Sequence, residues 1–242
     1  MTEMNPTILA IETATSSCSV ALAYGGVVFS RNEVGNNIHS KVLLEMVQEV
    51  LAQAQISNDQ IQAVAVGQGP GSFTGLRIGV GVAQGIAYGI NVPMIGVSSL
   101  DALANQAPNN GQVIAGIDAR MGEIYWCEYL KTDDGVQRLD SLKVSPPSDL
   151  ISKDASVQTQ LVGNAWAEYQ GQFSADLLDK ADVVEAQVYP MADSLLALAS
   201  KAFKNGELIN AVDFAPEYVR NDVAKKVLKA LKDKSFIRIF LL

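Results

Sequence analysis

The chain has 242 residues, 48% apolar and 18% charged, with 18 Lys and Arg against 26 Asp and Glu for a formal net charge of −8. These proportions describe a soluble globular protein of one or two domains with a sizeable core, and no run approaches the roughly 18 apolar residues of a membrane span. Two cysteines and one histidine are too few for a disulfide framework or a zinc site of the usual kind, and the acidic balance disfavours unaided binding to a phosphate backbone.

Met1 to Thr7 lacks the basic-then-apolar layout of a signal peptide, so the expected location is cytoplasmic. Thr7 to Thr13, Ser17 to Tyr24 and Val27 to Val34 then read as three strands, parted by a polar turn at Ala14 to Ser16 and by Gly25-Gly26, which makes a β-meander. From His39 to Ala54, the residues Leu43, Leu44, Val47, Val50, Leu51 and Ala54 fall at offsets of 0, 1, 4, 7, 8 and 11, one face of a helix. A buried strand at Gln62 to Val66, a glycine-rich helix at Phe73 to Gly89, a strand at Pro93 to Val97 and a helix at Ser99 to Gln106 follow.

A weaker copy of this order comes next. Gln112 to Ala119 and Glu123 to Leu130 read as strands, Lys143 to Ile151 as a loop around Pro146-Pro147 with room for a helical turn, Thr159 to Gly163 as a strand, Ala165 to Tyr169 as a helix start and Ala192 to Phe203 as a helix. The repetition predicts an α/β fold built by internal duplication. Residues 1–106 form the first lobe, 107–214 the second, and a C-terminal helix at about 215–234 is placed against the first. Residues 1–199 carry 9 basic and 21 acidic side chains (net −12), whereas 200–242 carry 9 and 5 (net +4). Arg220, Lys225, Lys226, Lys229 and Lys232 read as the solvated face of that last helix, with a nucleic-acid contact as the alternative.

Chemistry concentrates in a few places. Gly67 to Gly81, GQGPGSFTGLRIGVG, joins a strand to a helix but matches neither the P-loop nor the dinucleotide fingerprint. The helix N-terminus behind Gly69, Gly71, Ser72 and Thr74 is a candidate anion site, and a plain tight connection is the alternative. Gly75, Gly79, Gly81, Gly85 and Gly89 each cost roughly 1 kcal/mol relative to Ala in a helix interior. Gly81 and Gly85, one turn apart, allow another backbone to come close; packing on the lobe's own sheet is the simpler account and a ligand or partner the other. Arg77 is a candidate anion contact or a surface ion-pair member.

Glu12 and Asp118 end the first strand of each half, where two-lobed ATPases place carboxylates that hold a metal. With Thr13 and Thr15 they outline a weak candidate cleft for an adenine nucleotide and Mg, although Thr13 to Ser17 offers no glycine to wrap a phosphate. Acceptance of turn amides is the competing role for both acids. Neither Cys18 nor His39 has a neighbour in sequence that would make a nucleophile, and His39 reads as a helix-start or interface residue. Val42 and Met46 widen the apolar stripe of the first long helix, which suggests a partner face, with a helix sandwiched inside one subunit as the alternative; on the first reading Val47→Asp or Leu51→Asp blocks pairing and leaves a folded monomer, and an unfolded product would mark the face as core.

Six segments carry a resemblance: ILAIETATSSCSVAL (Ile8 to Leu22), His39-Ser40, GPGSFTGLRIG (Gly69 to Gly79), GVSSLDALA (Gly96 to Ala104), DARMGEIYW (Asp118 to Trp126) and PEYVRNDVAKK (Pro216 to Lys226). In this order they resemble the TsaB family, also called YeaZ, over about residues 7 to 226. The resemblance implies an actin-like ASKHA fold, two lobes each on an RNase H-like βββαβαβα unit. It implies a noncatalytic subunit that works with TsaD and with the ATPase TsaE in forming N6-threonylcarbamoyladenosine next to the tRNA anticodon, reaching tRNA only through the complex and needing no cofactor of its own. TsaD carries a metal through His-x-x-x-His; the corresponding stretch here, Val97 to Gln106, has no histidine. The resemblance also places a dimer interface, used for the homodimer and for TsaD alike, on the first long helix and the glycine-rich helix: His39, Leu43, Met46, Val47, Val50, Leu51, Gly81 and Gly85. An ATP-hydrolysing enzyme of the same fold and a peptidase are the alternatives. Two departures stand out: Glu45 follows Leu43-Leu44 where the family often has Pro, and the tail KSFIRIFLL (Lys234 to Leu242) matches no family motif.

Overall fold

The computed structural model describes residues 6–150 and 158–219. Strands β1 (Ile8–Glu12), β2 (Ser17–Tyr24) and β3 (Val27–Val34) form the expected meander, followed by α1 (His39–Ala54), β4 (Ala63–Gly69), α2 (Phe73–Ile90), β5 (Met94–Ser98) and α3 (Ser99–Asn105). The second half contains β6 (Gly111–Asp118), β7 (Ile124–Thr132), β8 (Gly135–Arg138), β9 (Lys143–Ser145), β10 (Thr159–Val162), α4 (Ala165–Glu168), α5 (Ala175–Asp179), β11 (Ala181–Glu185) and α6 (Ala192–Asn205). The segment expected as a loop at 143–151 therefore opens with β9, which pairs with β7, and continues into a 3-10 turn at Pro147–Asp149. Three residues are too few to show a period of two.

One sheet runs β3-β2-β1-β4-β5 and the other β11-β10-β6-β7-β8. In each, the first strand pairs antiparallel with the second and parallel with a later one, β4 in the first half and β10 in the second, so the duplication is real at the level of topology. The first strand of each half is buried on both sides. Leu9 and Ile11 of β1 face Leu43, Met46 and Val50 of α1 and Val80 and Ala83 of α2. Ile8 and Ala10, on the opposite face by the alternation of a strand, meet Leu195, Leu196 and Ala199 of α6.

That last contact corrects the expected lobe division. Residues 192–214 were placed with the second lobe, yet α6 covers the first sheet, whose facing positions are the small Ala10, Ala21, Ala63 and Ala65. Conversely α3, expected in the first lobe, buries Leu100, Leu103 and Ala104 against Val113, Ala115 and Ile117 of β6. Each half lends its last helix to the other. Beyond α6, Ile209 exchanges backbone hydrogen bonds with Met94 at the β5 edge, and Glu217 N–H donates to Gln68 O at 2.8 Å. Residues 215–219 are thus not helical; Glu217 is tied to the first lobe and Val219 packs on the core of the second. The remainder of the expected basic helix and the tail 234–242 fall outside the described residues.

Candidate functional site

Two regions collect the residues singled out from the sequence. The first is a cleft of about 910 Å³ between the lobes, lined by the β1–β2 turn, the start of α1, the loop into α2, the β6–β7 turn and the segment Glu217 to Val219. Thr15, Gly71, Ser72, Thr74 and Asp118 line it; Glu12, Thr13 and Gly69 do not. Glu12 and Thr13 have no exposed surface. The Glu12 side chain turns under its own strand end, where Oε1 accepts from Ala14 N–H at 2.7 Å and Oε2 from Ser99 Oγ at 2.8 Å. Gly67 makes the room, since a Cβ there would collide with the carboxylate. Burial pushes the Glu12 carboxyl up to about 7, against the opposing pull of the Ala14 and Thr13 amides and the Ser99 hydroxyl.

Asp118 is engaged in the same way in its own half. Its Oδ1 accepts from Arg120 N–H and from Tyr169 Oη, both at 2.7 Å, and Arg120 Nη1 lies 3.1 Å from Oδ2. Each strand-end acid therefore accepts the amide two residues on, the structural role that competed with metal binding. The two loops a nucleotide would separate are instead joined. Ser72 N–H donates to Ala14 O at 2.6 Å, Thr13 Oγ1 donates to Gly75 O at 2.9 Å, and a Cβ at Gly71 would strike Ala14 O. With the carboxylates engaged and the loops in contact, these residues do not fit a magnesium nucleotide, and the expected cleft set Glu12, Thr13 and Gly69 is corrected to a buried support beneath the cleft floor.

His39, at the cleft rim, is buried and its Nε2 lies 2.9 Å from Thr15 O, which ties the start of α1 to the β1–β2 turn. Cys18 and Cys127 are both buried; burial pushes the Cys18 thiol up to about 12 and raises Cys127 as well, the opposite of an activated nucleophile.

The second region is the outer face of α1 and α2. Here the expected interface set divides. Leu43, Met46 and Val50 are core residues under α1, and Val47 and Leu51, at 6% and 8% exposed, form the floor of a groove of about 460 Å³ together with Leu44, Gln48, Ala52, Ile56 and Ile86. The broad stripe on α1 is consumed by its own lobe, because the helix packs on β2, β3 and α2 at once. Val47→Asp and Leu51→Asp would therefore put a charge into the core, contrary to the folded monomer expected from the sequence. Leu44, 59% exposed, is the apolar residue of α1 that the fold leaves over.

On α2 the five glycines fall into two kinds. A Cβ at Gly75 or Gly79 would collide with Thr13, whose backbone passes directly beneath. A Cβ at Gly81, Gly85 or Gly89 would meet nothing within 4 Å. Own-lobe packing accounts for the first pair only. Also at the surface, and missed as a cluster in the sequence, Arg77 stacks on Phe73 beside Tyr218; the four-residue spacing of Phe73 and Arg77 is the signal that was there to read.

A family model for TsaD, described as tRNA N6-adenosine threonylcarbamoyltransferase, matches residues 7–228. The tRNA threonylcarbamoyladenosine biosynthesis protein TsaB of Escherichia coli (strain K12) is 39% identical over 229 residues, covering 91% of this chain and 97% of that protein. Its counterpart in Haemophilus influenzae is 37% identical over 235 residues, covering 93% and 98%. Among solved structures, YeaZ from Pseudomonas aeruginosa superposes with a TM-score of 0.83 at 34% identity, covering 88% of this chain and 100% of that one.

Proposed function

Because the chain belongs to the TsaB family of tRNA threonylcarbamoyladenosine biosynthesis proteins, we propose that it is the noncatalytic partner of a TsaD-type threonylcarbamoyltransferase. In this reading it binds and supports that enzyme together with a TsaE-type ATPase, meets tRNA only within the assembly, and uses the same face to pair with itself when the enzyme is missing. The carrying observation is the open ridge of Gly81, Gly85 and Gly89. Each of these glycines costs roughly 1 kcal/mol against Ala, and the packing of the described residues does not require them. A close helix from outside does. Leu44 and the groove beside it supply apolar surface for that helix.

Two features support a role without a reaction centre. The stretch corresponding to the metal-binding histidine pair of TsaD, Val97 to Gln106, contains no histidine, and the strand-end acids are spent on turn amides and on Ser99. The test is reconstitution of threonylcarbamoyladenosine formation from purified components. Product should fall to background when this chain is omitted and should not form when it is the only protein present. Full-rate modification in its absence would defeat the proposal, and hydrolysis of ATP by the chain alone, reduced in Glu12→Ala, would favour the enzymatic alternative.

A further inference from the structure

The i+4 ridge of α2 that carries Gly81 and Gly85 continues towards the helix start through Arg77 to Phe73. At that end the side chains are already arranged. The guanidinium carbon of Arg77 lies 3.4 Å from the centroid of the Phe73 ring and 6.0 Å from that of Tyr218. The two ring centroids are 6.0 Å apart, and Arg77 Nε donates to Tyr218 Oη at 3.3 Å. Phe73 is 57% and Tyr218 43% exposed, so this stack is a surface construction and not a by-product of the core.

A guanidinium held over a ring, with Nε already bonded, keeps its two terminal nitrogens for another acceptor and has given up much of its rotamer freedom in advance. Arg31, Arg120 and Arg138 each pair with a carboxylate of their own chain. Arg77 has no carboxylate in ion-pair range among the described residues, although acids outnumber bases in the sequence. A preorganised, uncommitted arginine at the end of a ridge of open glycines has the chemistry of an interface anchor, a class in which Arg and aromatic residues are enriched.

We infer that Arg77, stacked on Phe73 and steadied by Tyr218, receives a carboxylate of the TsaD-type partner at the end of the face marked by Gly81 and Gly85. The inference rests on the reading of that face as the partner surface and adds the group the partner must supply. Continuity along one ridge favours a protein carboxylate over an RNA phosphate.

The test is calorimetric titration of the full chain with the TsaD-type protein at low and high salt, comparing wild type with Arg77→Ala, Arg77→Lys and Phe73→Leu. Arg77→Ala should weaken binding at least about tenfold, and the gap should narrow at high salt. Arg77→Lys should recover little, because an ammonium neither stacks nor forks, and Phe73→Leu should lose affinity in the same direction. Thermal midpoints should stay at the wild-type value, since all three changes lie at the surface. Unchanged affinity in both Arg77 variants would overturn the inference. So would normal pairing with weaker tRNA binding by the assembled complex, which would hand the fork to a phosphate. Failure of the wild-type chain to bind at all would instead bring down the partner reading, and this inference with it.

Discussion

The cleft between the lobes and the outer face of α1 and α2 differ in what the chain does with its own hydrogen bonds and space. At the cleft floor both are used up internally: Ser72 bonds to Ala14, Thr13 to Gly75, Glu12 to Ala14 and Ser99. On the outer face Gly81 and Gly85 leave room that no described residue enters, and Arg77 leaves a charge that no carboxylate of the described residues meets. A site built for a small ligand needs unspent donors, whereas a site built for a macromolecule needs unspent surface. The floor of the cleft keeps few unspent groups, whereas the α1–α2 face keeps unspent surface.

The largest expected effect separates the two regions outright. Gly85→Trp fills the open ridge with a ring at a position where a Cβ meets no described atom within 4 Å. Partner affinity should fall by at least about 100-fold, roughly 3 kcal/mol or more, and modification should fail, with the fold and its thermal midpoint kept. Normal binding by this variant would remove the α2 ridge from the interface.

Next in size is Glu12→Gln, which probes the cleft floor. A carboxyl raised from 4.5 to about 7 on folding binds its proton more tightly in the folded state than in the unfolded one. Stability should therefore decline as pH rises from about 4.5 to about 7 and level off above. Glutamine keeps an acceptor for Ala14 and a polar atom for Ser99 without the buried charge, so it should flatten that decline and raise stability at pH 8 by up to about 3 kcal/mol. Denaturant midpoints measured from pH 4 to pH 8 decide it. If Glu12 were a functional cleft carboxylate instead, the same change would abolish modification, which is expected to survive.

How far the sequence carried is clear from these same residues. Strands β2 and β3 and helix α1 were legible to the residue, because clean periods bounded by turn residues leave one reading. The strand-end acids were legible as a pair, but not their direction; that is decided by Gly67, which lies far from Glu12 in sequence and faces it only once β1 and β4 align. The apolar surplus on α1 left its cover open between a partner and the chain's own lobe, because a helical stripe shows how much surface must be covered and not by what; Leu43, Met46 and Val50 turn into the lobe, while Leu44 and the groove over Val47 and Leu51 stay at the surface. The exchange of α3 and α6 was invisible for the same reason, since neither stripe names its sheet. The five glycines of α2 were all seen, yet only the position of Thr13 sorts them into two that must be glycine and three that need not be.

That sorting predicts a smaller effect at Gly75. A methyl group there meets the Thr13 carbonyl, which is backbone and cannot swing away. Gly75→Ala should cost about 2 kcal/mol of stability, the overpacking penalty less the gain in helix propensity. Equilibrium unfolding in urea would register it as a lower midpoint at unchanged slope.

The smallest change is the most discriminating, because its two readouts should move in opposite directions. Gly85→Ala adds the same methyl group to open space, so the helix gains roughly 1 kcal/mol and the thermal midpoint rises. If another helix approaches over this position, that methyl holds it off, and partner affinity should fall while stability increases. A glycine retained for the protein's own packing cannot behave this way, since its replacement would lower stability, and one retained for nothing would leave affinity unchanged. Melting and titration of one variant, set beside Gly75→Ala, therefore separate the three explanations of a glycine-rich helix, and only the rise in midpoint with loss of affinity places the close approach outside the chain.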